Sequence, residues 1–444
     1  MTESGYVLLL AGEYASFDRR NEKIKNAGWT QILYAAGTPF NKGVRVGVAS
    51  LSNWYVKYCE AGETISFGKL AIPFANGETT PFDWDAKGAD VIIGSTDPYY
   101  GFSTRLWNGC PTIEVTNGGR LISAWTTGGT REGQPENYIV FAYSDDGGAR
   151  WKELCVVNSE KADDPDKTTT VCDIQIWLDK ETNTLHCFYI NTSKNPPYEK
   201  ASAVWTFTMT DIDGEVSDIQ YSEHRYLFPG LLRNNITVLS DGTWIVAPNN
   251  FLDERFCVIY ASTDKGQTWT LRGKAYVPEA LNYDETMVTE LCDGTLWMGV
   301  RASSEKSAMY QAYSFDEGYT WTMSSPSNIF NCNTRFNFTR LESGALLMVY
   351  DAASGRKKMT AALSYDDGLS WTHSVTLYEA YSTYPDVSLY YDADGKETIH
   401  IIFDRDRYEY GQIYHVALSE EYIRDNNGKV LSPEKDLNLV TTLK

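Results

Sequence analysis

The side chains in this chain that could carry out chemistry are its acids, arginines and tyrosines rather than its histidines or cysteines. The five histidines do not show the spacing of a metal site, and the eight cysteines include no Cys-x-x-Cys pair. We therefore predict no metal, no cofactor and a structural role for every histidine. The histidines are His186, His224, His373, His400 and His415.

The charge of the chain limits its partners. It has 39 Lys plus Arg residues against 59 Asp plus Glu residues, a formal net charge of -20. This charge repels nucleic acid and anionic membrane surfaces, so we predict neither as a partner. An anionic substrate would need a local cluster of arginines acting against the field of the whole molecule.

The elements that must position such a cluster are indicated by a turn motif, Ser-x-Asp-x-Gly-x-x-Trp, that occurs four times. In each copy the aspartate can accept hydrogen bonds from turn amides, and the glycine can adopt a positive φ. The tryptophan can pack the turn onto its sheet. The four copies begin at Ser144, Ser262, Ser314 and Ser364.

Short apolar alternations with a polar turn inside each recur between the motifs, as in β-hairpins. The first interval between motifs is about twice the later ones, which leaves room for a repeat without the motif, VCDIQIWLDKETNTLHCFYIN. The repeats then begin near residues 105, 168, 230, 281, 333 and 381. We predict an all-β fold, a six-bladed β-propeller, because radial repetition of sheets hides most strand edges.

The ends of the chain carry no motif. We predict an N-terminal β-rich extension over residues 1–95 that could close the ring, the propeller over 96–425 and a C-terminal tail over 426–444. The segment MTESGYVLLLAGEY lacks a basic region, and its apolar run is too short for a signal peptide or a membrane span. We expect a soluble, cytoplasmic protein, with export left open.

Four such turns in a six-bladed pattern resemble the sialidase (neuraminidase) superfamily, over roughly residues 100 to 425. The segments RLWNGCPTIE, AWTTGG, YPDVSL and FDRDR are similar to a divergent bacterial branch of it. These turns lie far from the active site in that family and also occur in non-catalytic propellers. They indicate the fold rather than the activity.

The resemblance extends to residues in three separate repeats. Glu285 lies six residues before Leu291 of a Glu-Leu-x-Asp-Gly hairpin, and Arg301 lies ten residues after that leucine. Arg356 lies eight residues before the last motif. The family's Tyr-Ser-Asp-Leu segment and the strand that follows it are similar to a segment beginning at Tyr384 and a strand ending at Asp404.

This resemblance implies a tyrosine nucleophile. A phenol with a pKa of about 10 is a weak nucleophile, so Tyr384 needs Glu285 to take its proton as it attacks an anomeric carbon. A neutral tyrosine avoids repulsion from a substrate carboxylate, and sialidases are an exception to glycosidases with two carboxylates for this reason. Arg301 and Arg356 would bind the substrate carboxylate, and Asp404 would hold one guanidinium.

The chain departs from the family pattern in two places. Where the family has an arginine in an Arg-Ile-Pro motif, this chain has Gly-Cys-Pro at residues 109–111, and the candidates to replace that arginine are Arg105, Arg335 and Arg233. The family's acid/base is an aspartate in the loop after the first hairpin. In the corresponding loop, TTGGTREGQPENY, our first candidate is Glu132 and our second is Glu136.

The leading hypothesis is a retaining exo-glycoside hydrolase that releases a terminal acidic sugar, sialic acid by default, from a glycan. One alternative is a propeller glycosidase or lyase acting on another sugar, such as a rhamnoside, a uronide or another ulosonic acid. Another is a non-catalytic glycan-binding propeller with aromatic stacking platforms. The platforms considered are Trp107, Trp125 and Trp297.

Overall fold

The computed structural model describes residues 5–11, 30–32, 53–59, 88–159, 169–193, 202–250, 256–276, 285–301 and 307–443. In these residues nearly all regular structure is β, which confirms the predicted all-β class. The two α-helices among them are short, α1 (Glu420–Asp425) and α2 (Pro433–Asp436). Short 3-10 turns cover Pro98–Tyr100, Phe102–Thr104 and Val216–Asp218.

Two sheets are formed by the first part of the chain. The first is antiparallel with strand order β1-β3-β2, and in the second the order is β4-β8-β7-β6-β5. The strands are β1 (Gly5–Ala11), β2 (Thr30–Ile32), β3 (Asn53–Cys59), β4 (Asp90–Ile92), β5 (Asn108–Val115), β6 (Leu121–Thr127), β7 (Tyr138–Ser144) and β8 (Lys152–Asn158).

Three further sheets follow along the chain, each made of consecutive antiparallel strands. The first of them contains β9 (Thr169–Asp179), β10 (Thr184–Ser193), β11 (Ser202–Thr210), β12 (Gln220–Tyr221) and β13 (Arg225–Pro229). The next contains β14 (Thr237–Val238), β15 (Trp244–Val246), β16 (Asn249–Asn250), β17 (Phe256–Ser262) and β18 (Thr270–Tyr276). The third contains β19 (Thr286–Glu290), β20 (Leu296–Val300), β21 (Tyr310–Ser314) and β22 (Ser325–Pro326).

The last sheet has seven strands in chain order. They are β23 (Asn337–Arg340), β24 (Leu346–Ala353), β25 (Lys357–Ser364), β26 (His373–Tyr391), β27 (Glu397–Arg405), β28 (Gln412–Leu418) and β29 (Asn438–Thr441). Strand β26 is long, and its halves pair with different neighbours: residues 373–381 with β25 and residues 382–391 with β27. The sheets form a propeller-like arrangement, and the number of six blades remains a prediction.

The segments outside the predicted propeller also contribute strands. Strand β4, within the predicted extension, pairs with β8, and β29, within the predicted tail, pairs with β28. Both add a strand to the edge of a sheet. Much of residues 1–95 lies outside the described residues, so the predicted domain boundaries remain predictions.

The turn motifs have the hydrogen bonds that their residue types predict. In the first copy the Ser144 hydroxyl donates to Asp146 Oδ1 over 2.9 Å, and the Gly148 amide donates to Ser144 Oγ over 3.0 Å. The glycine has a φ of 93°, in the region that glycine adopts without strain. The indole of Trp151 donates to the Gly148 carbonyl over 3.0 Å. The other three copies repeat the serine-to-aspartate bond.

The apolar faces of neighbouring sheets pack against each other to form the core. Ile139 and Phe141 of β7 lie in one cluster with Ile176 of β9 and Phe207 of β11. The rings of Phe141 and Phe207 contact edge to face, with centroids 6.0 Å apart. This packing between sheets holds the strand ends that carry the polar side chains described below.

Irregular positions in three strands bring polar side chains to one place. The pairing of β5 with β6 shifts register between Gly109 and Thr112, and that of β26 with β27 shifts between Thr383 and Asp386. Cys110 and Tyr384 lie in these bulges with φ values of 57° and 54°. Asp173 of β9, with a φ of 48°, lies opposite a third register shift. Positive φ at a non-glycine residue is costly, and such strain is common at functional sites.

Candidate active site

Tyr384 and Glu285 form a buried pair at the meeting point of these strands. Tyr384 lies in the bulge of β26, and Glu285 directly precedes β19. The Tyr384 hydroxyl donates a hydrogen bond to Glu285 Oε1. The side chains are 3% and 0% exposed. The structure therefore brings together two residues that are 99 positions apart in the sequence.

Arg301, directly after β20, contacts both residues of this pair. Its Nη1 forms an ion pair with Glu285 Oε2 and lies 3.3 Å from the Tyr384 hydroxyl oxygen. The Arg301 amide also donates to the Glu285 carbonyl over 3.2 Å. Burial and the Glu285 carboxylate raise the pKa of Tyr384 well above its usual value, and Arg301 opposes this shift. The phenol thus keeps its proton until a base accepts it.

Three guanidinium groups lie beside the hydroxyl or the ring of Tyr384, and we call them the arginine cluster: Arg301, Arg356 and Arg407. The guanidinium carbon of Arg407 lies 4.0 Å from the ring centroid, and that of Arg356 lies 6.0 Å from it. Asn333 links Arg301 and Arg356. Its Oδ1 accepts from Arg301 Nε over 2.8 Å, and its carbonyl accepts from Arg356 Nη2 over 3.0 Å.

Sequence reasoning did not identify Arg407. The Asp404 carboxylate accepts from its Nε over 3.0 Å and from its Nη2 over 2.8 Å, so the acid predicted to hold a guanidinium holds this one. Asp404 also accepts from the Cys110 amide over 2.9 Å. A Cβ atom added at Gly109 would lie 2.7 Å from the Trp107 ring and 3.1 Å from Arg407 Nε, so the glycine leaves room for both side chains. The available signal was the FDRDR segment, where an arginine follows Asp404 by three residues.

The turn that carries Arg407 is well defined. It lies between β27 and β28, and its residue Asp406 has a φ of 45°. The amides of Glu409, Tyr410 and Gly411 all donate to the Asp406 carbonyl. This short turn fixes the direction in which Arg407 leaves the chain.

Arg233 faces the arginine cluster from the chain just after β13, and three carboxylates surround it. Its Nη2 lies 2.6 Å from Asp173 Oδ2 and 3.2 Å from Glu132 Oε1, and its Nη1 lies 3.4 Å from Glu285 Oε1. Glu132 Oε2 lies 3.6 Å from Arg407 Nη1. Glu132 therefore lies between two arginines, with its side chain 24% exposed. Asp173 was also missed, although its segment was recognised as the repeat without a motif.

The structure does not bring the remaining predicted residues to the same position. Arg105 is bound by Glu153 of β8 and by the Tyr100 carbonyl. Glu136 is exposed, and none of its contacts among the described residues joins the arginine cluster. These placements give no support to Arg105 as a substitute arginine or to Glu136 as the acid/base.

Arg335 lies beneath the site rather than in it. It is 1% exposed and donates to main-chain carbonyls, including those of Pro111 over 2.8 Å and Pro385 over 2.9 Å. Its guanidinium carbon lies 5.5 Å from the centroid of the Tyr384 ring. It therefore ties the chain that carries the tyrosine to the chain that replaces the family's Arg-Ile-Pro segment.

Asp386 joins several sheets just below Tyr384. Its Oδ2 accepts from the Thr112 hydroxyl over 2.6 Å and from the Ile113 amide over 3.0 Å. Its Oδ1 accepts from the side-chain amides of Asn235 and Asn337, each over 3.0 Å. Four donors from other parts of the chain thus converge on one buried carboxylate and hold the strand that carries the tyrosine.

One group of side chains in the described residues has the geometry to hold a metal ion. Ligand atoms of Cys110, Glu132 and Asp173 lie within 4.8 Å of one another. However, Arg407 Nη2 lies 3.6 Å from Cys110 Sγ, and Arg233 binds both carboxylates. Guanidinium groups already balance these ligands, so we assign no metal to this group.

A family comparison decides where this chain belongs. Residues 119–401 match the model of the BNR repeat-like domain, which is more than half of the chain. The chain belongs to the BNR repeat-like domain family. Among curated proteins, no sequence matches it.

Solved sialidases have a fold similar to that of this BNR repeat-like protein. The Hadza microbial sialidase Hz136 has a TM-score of 0.58 at 18% identity, covering 84% of this chain and 77% of its own. The NanB sialidase of Streptococcus pneumoniae has a TM-score of 0.54 at 14% identity, covering 84% and 75%. The intramolecular trans-sialidase of Ruminococcus gnavus has a TM-score of 0.54 at 15% identity, covering 74% and 98%. The predicted resemblance to the sialidase superfamily is confirmed at the level of the fold.

The BNR repeat-like range contains only part of the site. Glu132, Glu285 and Tyr384 lie inside residues 119–401, whereas Cys110 and Arg407 lie outside. In the described part of the chain, no helix is both long and apolar enough to cross a membrane.

The predicted stacking platforms of this BNR repeat-like protein are not available to a ligand. Trp107, Trp125 and Trp297 are 0%, 1% and 2% exposed, because their rings pack within and between sheets. An exposed aromatic ring beside the arginine cluster is instead that of Tyr408, which is stacked on Trp107 at 6.4 Å between centroids. The alternation of residues in the sequence did not distinguish buried indoles from exposed ones.

Proposed function

We propose that this protein is a retaining exo-acting glycoside hydrolase that releases a terminal acidic sugar, sialic acid by default, from a glycan. The observation that carries the proposal is the hydrogen bond from the buried Tyr384 hydroxyl to Glu285, with Arg301 in contact with both. A lone buried tyrosine would be inert, whereas a tyrosine paired with a carboxylate has a base within reach.

The arginine cluster provides the site for the substrate carboxylate. Arg301 and Arg407 are held by the carboxylates of Glu285 and Asp404. Arg356 forms no ion pair with a carboxylate of the described residues, and its guanidinium lies near the Tyr384 ring. Three guanidinium groups around one position favour an acidic sugar over a neutral deoxyhexose, because charge-assisted hydrogen bonds to a carboxylate are strong.

The first chemical step forms a bond from Tyr384 to the sugar. As the phenol oxygen attacks the anomeric carbon, its proton moves to Glu285, and the bond to the leaving oxygen breaks. Glu132, partly exposed and in the loop after the first hairpin, gives its proton to that oxygen.

The second step releases the sugar. The Glu132 carboxylate takes a proton from water, which attacks the anomeric carbon, and the phenol oxygen leaves as Glu285 returns its proton. Two inversions give net retention of configuration.

We also propose a ring of six blades for the scaffold, with the two halves of β26 belonging to adjacent blades.

The test is the variant Tyr384→Phe with an aryl sialoside as substrate. We expect kcat to fall by at least about 100-fold, because the nucleophilic oxygen is lost while the ring remains. The matched control is Tyr319→Phe, which removes a hydroxyl from a half-exposed tyrosine on a distant turn motif and leaves turnover unchanged. Turnover of Tyr384→Phe at the wild-type rate would show that the nucleophile is assigned wrongly.

A further inference from the structure

The charged groups at the site balance one another, and this limits how it can bind an anion. The central cluster comprises four guanidinium groups and four carboxylates. Seven of these groups form a connected set of ion pairs. The eighth, Arg356, is joined to this set through Asn333. Beneath the central cluster, Arg335 opposes the rise in pKa that burial causes at the Asp386 carboxyl. The central cluster consists of Arg233, Arg301, Arg356, Arg407, Glu132, Asp173, Glu285 and Asp404.

One further acid lies close to the central cluster. Asp351 is 1% exposed, and burial raises the pKa of its carboxyl well above its usual value, which favours its neutral form. With its four guanidinium groups and four carboxylates all ionised, the central cluster has a net charge of zero. A substrate carboxylate would then add a negative charge to a largely buried, neutral site in a protein with a net charge of -20.

Glu132 is the member of the central cluster whose charge can change most readily. Its side chain is 24% exposed, whereas the side chains of Asp173, Glu285 and Asp404 are at most 1% exposed. It lies 3.6 Å from Arg407, the same guanidinium that the substrate carboxylate requires. The ionised Glu132 and the substrate therefore compete for one cation.

The other charged and titratable groups facing Glu132 explain the strength of this competition. Arg233 lies 3.2 Å away on its other side. Cys110 and Asp173 lie within 4.8 Å of it, and the hydroxyls of Tyr384 and Tyr408 interact with its charge. Of these groups, the Asp173 carboxylate disfavours a second anion, whereas the neutral tyrosines do not, so neutralising Glu132 relieves the repulsion among Glu132, Asp173 and the substrate carboxylate.

We propose that binding of the substrate carboxylate is coupled to uptake of one proton by Glu132, and that this proton is the one later given to the leaving oxygen. The inference rests on the proposed function. The proton comes from solvent and binds a Glu132 carboxylate oxygen; it leaves when the bond from the anomeric carbon to the leaving oxygen breaks. Substrate binding thereby protonates Glu132, the general acid.

The coupling has a measurable thermodynamic consequence. Because linkage is reciprocal, a bound anion favours protonation of Glu132, and protonation of Glu132 favours the anion. In the pH range where Glu132 is ionised in the ligand-free protein, the affinity for a carboxylate ligand falls by about ten-fold for each unit of rising pH. Glu132→Gln keeps the shape of the side chain but carries no charge, so its affinity does not depend on pH in this way.

The experiment is isothermal titration calorimetry with the sialidase inhibitor DANA, a sugar carboxylate. Wild-type protein, Glu132→Gln and the control Glu136→Gln are each titrated in two buffers that differ in ionisation enthalpy. We expect uptake of about one proton per DANA in wild-type protein and in Glu136→Gln, and none in Glu132→Gln. We also expect Glu132→Gln to bind DANA more tightly than wild-type protein at pH 8.

The outcomes separate this inference from the proposed function. Binding of DANA to wild-type protein without proton uptake, or with equal uptake in Glu132→Gln, would overturn the coupling and leave the proposed function standing. No binding of DANA to wild-type protein would remove the proposed function and this inference with it. If Glu132→Gln does not fold, the wild-type titrations in the two buffers still show whether binding is coupled to proton uptake, and an absence of uptake overturns the inference.

Discussion

At the scale of single residues, the candidate site combines a neutral tyrosine with an unusual source of positive charge. Tyr384 and Glu285 meet where the resemblance implied, but the third guanidinium comes from Arg407, after β27, rather than from the segment at residues 109–111. Asp404 holds this guanidinium with two hydrogen-bonded nitrogens, a geometry that lysine cannot reproduce. Arg407 is therefore the residue whose change tests the proposed anion site.

We predict that Arg407→Lys raises KM for an aryl sialoside by about ten-fold or more, because one charge-assisted contact to the carboxylate is lost. Steady-state kinetics measure this effect. The matched control is Arg405→Lys, two residues away, whose guanidinium pairs with Asp406 and lies outside the arginine cluster. An unchanged KM in Arg407→Lys would remove Arg407 from the substrate site.

At the scale of elements, buried polar contacts between sheets hold the strand that carries Tyr384. Asp386, two residues beyond Tyr384, accepts four hydrogen bonds from β5, β23 and the chain before β14. Burial raises the pKa of its carboxyl, and Arg335 and the hydrogen bonds from Thr112 and Ile113 oppose this shift. A buried acceptor with several donors is costly to disturb, since the donors lose their partner.

We predict that Asp386→Asn lowers the free energy of unfolding by about 1–3 kcal/mol, because one amide nitrogen then faces donors instead of accepting from them. Urea denaturation measures the change. The control is Asp394→Asn in the exposed turn between β26 and β27, which should leave stability unchanged. Equal stability of Asp386→Asn and wild-type protein would show that this junction does not hold the sheets together.

At the scale of the whole molecule, two stacked histidines pack where the last sheet meets the first turn motif. The rings of His400 and His415 hydrogen-bond over 3.0 Å, and a Cβ atom added at Gly148 would lie 2.3 Å from His415 Nδ1. Burial lowers the pKa of His400 to about 4 and, with His400 as a second cause, the pKa of His415 to about 3. Both rings are neutral in the folded protein near neutral pH.

The histidine pair predicts sensitivity to acid. Unfolded histidine takes up a proton near pH 6.5, so the stability that these buried neutral rings contribute is complete above that pH and is lost as pH falls towards 4. Thermal unfolding followed over this range should show a smaller loss for His400→Gln than for wild-type protein. His373→Gln, in a half-buried position, serves as the control. The same loss in all three proteins would contradict this origin of acid sensitivity.

The residues that the sequence could and could not predict differ in a physical way. The turn motifs are local, so their serine, aspartate and glycine predict the turn without knowledge of the fold. Glu285, Arg301 and Tyr384 could be found because their spacing relative to nearby hairpins resembles that of the sialidase superfamily. Arg407 and Asp173 could not, since their roles depend on which strands meet across the sheets. Residue 407 approaches residues 109 and 110 only after the last sheet packs against the first.

The central claim is that Tyr384 forms a covalent bond with the sugar, and trapping that bond tests it most directly. Wild-type protein, Tyr384→Phe and Tyr319→Phe are incubated with 2,3-difluorosialic acid, and adducts are located by mass spectrometry of peptides. We predict one adduct, on the peptide containing Tyr384, in wild-type protein and Tyr319→Phe, and none in Tyr384→Phe. An adduct on another residue, or the same adduct in Tyr384→Phe, would contradict the account.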